Sequence, residues 1–139
     1  MARLVLTNAS LVVNSVDLSN HVASVTVNRT VDTPDITAMG ASGHEMLPSL
    51  RNDSFQVTFR QDFAATSVDA TLDPLFAAGS TFLVKASAAG TTYSATNPSY
   101  SGTCFISEYT PISGNVGDVL DAPVTFLMAN GGAIVRGTS

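Results

Sequence analysis

Apolar and polar positions alternate with a period of two through much of the chain, the pattern of strands with one face buried. Ala23, Val25 and Val27 alternate with Ser24, Thr26 and Asn28. Phe55, Val57 and Phe59 oppose Ser54, Gln56, Thr58 and Arg60, so 54–60 is predicted as a strand. Shorter β-branched or leucine-rich runs at Arg3–Leu6 and Ser10–Val13 flank the turn-forming Thr7-Asn8-Ala9, and Asn14–Asp17 reads as a second turn. Further strands are predicted at Thr81–Ala86, Thr91–Ala95, Tyr100–Tyr109 and Val124–Met128, the last with Pro123 tolerated as its first residue. Ser113–Gly117 has loop composition, and Asn130-Gly131 is a hairpin-type turn before Ala133–Arg136.

One stretch breaks the period. In Gln61–Gly79, Val68, Leu72, Leu75 and Phe76 fall at i, i+4, i+7 and i+8, an apolar stripe on one side of a helix. Thr66 followed by Asp69 has the spacing of a capping box, and Gly79 marks the end. Pro74 removes a hydrogen bond inside that span, while Asp73-Pro74 is also a good restart, so a kinked helix or two short turns is expected. A short amphipathic helix is marginal alone, and its stripe is expected on the sheet face bearing Phe55, Val57 and Phe59. Roughly eight to ten short strands and one helix predict a mainly β fold, an antiparallel β-sandwich or barrel with one flanking short α-helix.

Arg29 to Asp53 fits neither period. Pro34, Gly40, Gly43 and Pro48 interrupt it, yet Ile36, Met39, Met46, Leu47 and Leu50 make it too apolar for a freely solvated loop. Connections beyond about 12–15 residues are uncommon in compact domains unless functional or disordered. Two alternatives stand: an excursion that packs on a neighbouring subunit, with a strand at Asp35–Met39, or a loop folded back over its own core.

The 139 residues suit a single domain spanning 1–139, with a long loop or hairpin at about 30–53. Charged residues are 12% and mean hydropathy is +0.25, which fits either a surface hidden in an assembly or a hydroxyl-solvated β domain. The net charge is −5, and the basic residues Arg3, Arg29, Arg51, Arg60, Lys85 and Arg136 are scattered, which argues against a nucleic-acid reader. The N-terminal residues lack the apolar core and cleavage site of a secretion signal, and no apolar run has the length to span a bilayer. Cys104, the single cysteine, lies in a strand-like run and is expected to be a buried, inert thiol. Ser42, His44 and Glu45 are neighbours in sequence, but adjacency in a glycine-flanked loop does not build a catalytic site. His21 and His44 lack partners at metal-ligand spacing, no phosphate-cradling glycine motif is present, and the absence of tryptophan weakens a sugar- or base-stacking module. No enzyme, cofactor or metal site is expected.

The ordered set VDLSNHVASVTVN, DITAMG, LPSLRNDSFQVTFRQDF, VDATLDPLF and SATNPSYSGTCFISEYTPISGNVGD, covering about Val16 to Asp118, resembles the major tail proteins, or tail tube subunits, of long-tailed bacteriophages. The resemblance implies a β-sandwich or barrel-like subunit with a flanking helix, in hexameric rings that stack into a hollow tube within the virion. It implies self-association, tail partners such as tape measure, terminator and tip proteins, synthesis in the host cytoplasm, and DNA passing through the lumen without specific binding. An acidic wall suits such a conduit because it repels phosphates. Asp62, Asp69, Asp73, Glu108, Asp118 and Asp121 are as open to ordinary surface or capping roles as to lining the lumen, and for Asp69 and Asp73 capping is expected. In such proteins an extended loop meets the adjacent ring, which makes Ile36, Met39, His44, Met46 and Leu47 the candidate contact residues. A tail terminator, a capsid decoration protein and a monomeric β-sandwich binding module are the alternatives.

Overall fold

The computed structural model describes residues 5–138. Its strands are β1 (Ser10–Val13), β2 (Val16–Asp17), β3 (Val22–Asn28), β4 (Ser54–Arg60), β5 (Phe82–Ser87), β6 (Ser99–Tyr109), β7 (Asp121–Met128) and β8 (Val135–Gly137), with one α-helix, α1 (Val68–Ala78), and a 3-10 turn at Ser19–His21. They form one antiparallel sheet in the order β2-β1-β5-β6-β7-β4-β3, and β8 pairs with β6. The fold is mainly β with a single flanking helix. The sheet is open but curled. Val25 and Val27 of β3 share an apolar cleft with Ala86 of β5 and Tyr100 of β6, and Arg29, just past β3, lies over the Tyr100 ring at 5.6 Å.

The period-two pattern resolves into an inner and an outer face. Phe55, Val57 and Phe59 of β4, Val124 and Phe126 of β7, and Cys104 and Ile106 of β6 are buried together with Val68 and Leu72 of α1. Phe82 and Phe126 meet edge-on in this core at 5.8 Å, the arrangement that the ring quadrupoles favour. Leu75 packs partly against the core, whereas Phe76 stays 44% exposed and touches Tyr109 edge-on at 6.5 Å.

Several local expectations are corrected. The helix starts at Val68 after Ser67, and Thr66 forms no capping box: its backbone is left-handed, with φ 62°, and its hydroxyl donates to the Ala65 carbonyl. Asp69 instead accepts a hydrogen bond from the Tyr109 hydroxyl at 2.8 Å, which turns it toward β6. Pro74 sits within one continuous helix. Gly79 ends it at φ 64°, where its own N–H and that of Ser80 return to the Phe76 and Leu75 carbonyls.

Pro123 is the third residue of β7, not a strand start. Its carbonyl accepts the Thr110 N–H, so its missing N–H falls just beyond the end of β6. Residues 91–95 form no strand beyond a single bridge from Ser94 to Asn97. Of the opening run Arg3–Leu6, residues 3 and 4 lie outside the described residues, and Val5 and Leu6 are not in a strand. Asn130-Gly131 does make a tight turn, with both residues at positive φ, but it delivers β8 to β6 and not back onto β7.

Candidate assembly surface

Residues 29–53 prolong the β3–β4 hairpin into a two-stranded arm. Antiparallel bridges join Val31 to Arg51 and Asp35 to Met46, and backbone bonds run from Asp32 N to Leu50 O, Ser49 N to Asp32 O, and Ile36 N to Glu45 O at 2.7–2.8 Å. A bridge at Asp35, not a continuous strand at Asp35–Met39, is all the regular pairing there. Every residue from 28 to 52 is exposed, so the arm does not fold back over its own core. Met39 is fully exposed at 103%, Leu50 stands at 74%, and Met46, Leu47 and Ile36 are at 51%, 50% and 45%. His44 faces Asp35 across 3.5 Å, and the Thr37 hydroxyl and N–H hold the Asp35 carboxyl below its ordinary range.

The root of the arm is fixed by a residue that the alternation does not reveal. Asp53 is buried, and its carboxylate accepts the Thr30 N–H at 3.0 Å, the Ile134 N–H at 2.8 Å and the Arg51 guanidinium at 2.6 Å. Burial pushes this carboxyl up, but those donors outweigh it and the net pKa is lowered. One side chain thereby ties both arm strands to the segment entering β8. The sequence signal is faint: an Arg two residues before an Asp at the start of a strand.

The opposite end of β4 carries a second exposed apolar group. In the β4–β7 register Ser54 pairs with Leu127 at the arm end and Arg60 with Asp121 at the far end. The 61–67 and 110–120 connections both leave from that far end. They are tied together by Gln61, whose N–H reaches the Leu120 carbonyl and whose Nε2 reaches the Pro111 carbonyl at 2.7 Å. On these connections Phe63 is 58% exposed, Ile112 70%, Val116 107% and Val119 63%. Alternation gives no hint of this patch because neither connection has a period.

The fold brings Ser67, His21 and Asp62 together, a set whose residue types invite a catalytic reading. The geometry opposes it. The Ser67 hydroxyl donates to Asp62 at 2.7 Å and meets His21 Nε2 at 3.2 Å, while Asp62 approaches that same Nε2 at 3.9 Å instead of orienting the far ring nitrogen. Ser67 is also buried, so the cluster fastens the start of α1. Burial pushes the Cys104 thiol up to about 12, and burial is also the main cause that lifts Tyr109 to about 12. Among the described residues, no group of three or more His, Cys, Asp or Glu side chains could hold a metal ion, and no helix is long and apolar enough to cross a membrane.

No protein-family model matches the chain, and no curated protein matches it in sequence. Solved structures do match in fold. A chain from the PVC extracellular contractile injection system, in its sheath/tube terminator in the extended state, superposes with TM-score 0.74 at 11% identity, covering 98% of this chain and 97% of that one. A chain of the native gene transfer agent virion gives 0.71 at 13% identity, covering 93% and 95%. The chain shares the fold of these particle proteins. A chain of the empty gene transfer agent tail, refined helically with C6 symmetry, gives 0.66 at 15% identity, covering 86% and 83%. The shared fold accounts for nearly the whole chain.

Proposed function

We propose that this chain is a structural tail subunit of a phage-like virion that assembles into six-membered rings, stacked as the tube through which DNA passes. The observation that carries this is the arm: its root is locked by Asp53 while Ile36, Met39, Met46 and Leu47 face solvent. Monomeric proteins rarely hold such apolar groups away from their core, and a paired ribbon whose residues beyond the root are all exposed is suited to contact another copy. The C6 tail among the fold matches supports six-fold rings. His44 belongs to the contact set through its place beside Asp35. On this reading the protein has no catalytic role and no cofactor. Its partners are copies of itself and other tail proteins such as the tape measure, terminator and tip. It is made in the host cytoplasm, is incorporated into the virion, and lets DNA slide past without specific binding.

A second reading, a tail terminator, is favoured by the match to a chain from a sheath/tube terminator. Sedimentation over a concentration series separates the two. A tube subunit gives very large, polydisperse species, and a terminator stops at one finite ring. A monomer at every concentration contradicts both.

A further inference from the structure

We infer that the apolar cleft between β3 and the β5–β6 pair binds a medium-chain alkyl carboxylate, its chain in the cleft and its carboxylate between Arg29 and Arg136. This is independent of the proposed assembly and assigns a ligand site on the subunit itself. The cleft follows from the curl of the sheet. β3 ends the strand order, yet its Val25 and Val27 come to face Ala86 of β5 and Tyr100 of β6 without pairing to either strand. Leu6, itself 57% exposed, and Pro98 also line it. The cleft measures about 250 Å³. A methylene group fills about the volume of a liquid water, roughly 30 Å³, so a chain of about eight carbons fits.

The cleft is apolar along its length and cationic at one end. Ser87, a hydroxyl in the lining, is already bonded to the Gly90 carbonyl and the Ser10 hydroxyl. At the Tyr100 end, the Arg29 guanidinium lies over the tyrosine ring at 5.6 Å. Arg136 is the β8 residue directly opposite Tyr100, and residues paired in this way share a face of the sheet. Its Nη2 donates to the Ala95 carbonyl at 3.3 Å. Among the described residues neither guanidinium forms an ion pair. Asp53, which accepts the N–H groups of Thr30 and Ile134 close to each in sequence, is taken up by Arg51. The basic residues look scattered along the chain, but the fold gathers two of them at one tyrosine.

Charge complementarity then selects the ligand. Two cations without a counter-charge attract an anion, and a planar guanidinium takes a carboxylate through paired N–H donors. Behind that anchor the wall offers apolar contact, which stabilises an alkyl chain in proportion to the area it buries. An alkyl alcohol lacks the charged head, and a short carboxylate lacks the tail. A peptide with a free C-terminal carboxylate has the head, but it brings backbone N–H and C=O groups into a lining of apolar side chains, where leaving them unpaired is costly.

The test is isothermal calorimetry on the full chain with sodium octanoate, against acetate, hexanoate and 1-octanol. Octanoate is expected to bind at one per chain and acetate not at all, with affinity rising about fourfold for each methylene from hexanoate to octanoate. Arg29→Gln and Arg136→Gln, both at exposed positions, are each expected to keep wild-type urea unfolding, to weaken octanoate about tenfold and to leave 1-octanol unchanged. Leu6→Ala is expected to weaken octanoate and 1-octanol alike, because it removes wall and not charge. Octanoate that binds no better than 1-octanol, or equally to the wild type and both arginine variants, overturns the assignment. So does a peptide of apolar residues with a free C-terminal carboxylate that binds more tightly than octanoate.

Discussion

A carboxylate can be withdrawn from solvent at Asp53 because main-chain donors from two directions and a guanidinium converge on it. Asp53→Ala leaves the Thr30 and Ile134 N–H groups and Arg51 without their acceptor, and is expected to destabilise the domain by about 3 kcal/mol in urea unfolding. Because folding lowers this pKa, the stabilisation is in place above the unfolded value of about 3.9 and is lost as pH falls through the lower folded value. Stability measured from pH 5 down to pH 2.5 should therefore fall less steeply in Asp53→Asn than in the wild type. Cys104 makes the opposite case: a thiol pushed up to about 12 by burial should resist a thiol reagent at pH 8 until the chain unfolds. That burial was legible from a strand-like setting. The Asp53 clamp was not, because its partners Thr30 and Ile134 come together only in the folded chain.

At the scale of elements, legibility followed periodicity. The expected strands at 10–13 and 54–60 coincide with β1 and β4, the first marked by its β-branched and leucine-rich run and the second by its alternation. The stripe marks the helix, but its first turn departs from the capping-box spacing because Thr66 takes a left-handed backbone and Tyr109 competes for Asp69. Burial also divides the stripe, with Val68 and Leu72 wholly inside and Phe76 at the rim. Leu72→Ala should accordingly cost about 2–5 kcal/mol, and Leu72→Asp should prevent folding because it places an unpaired charge in the core. Phe76→Ala should cost distinctly less than Leu72→Ala. A comparable loss in both, measured by chemical denaturation, would show that the rim position is buried after all. The arm is the converse case. Its composition announced apolar contact, but only the backbone bonds across Asp32, Leu50, Ile36 and Glu45 show a ribbon that projects away from the body. Deleting Thr33–Leu50 should leave a folded domain that no longer makes tubes.

For the whole molecule, low charge, a curled antiparallel sheet and exposed apolar groups at both ends of its strands are the features on which the proposed assembly rests. Among the candidate acidic residues, Asp121 is neutralised by Arg60 at 2.7 Å, whereas Asp62 and Asp69 keep their charge while accepting hydrogen bonds from the Ser67 and Tyr109 hydroxyls at 2.7 and 2.8 Å. Assembly itself is the claim on which the rest depends. Negative-stain electron microscopy of the purified protein at high concentration tests it most directly: long tubes with a central channel are the predicted result, and a field of single small particles at every concentration would contradict it.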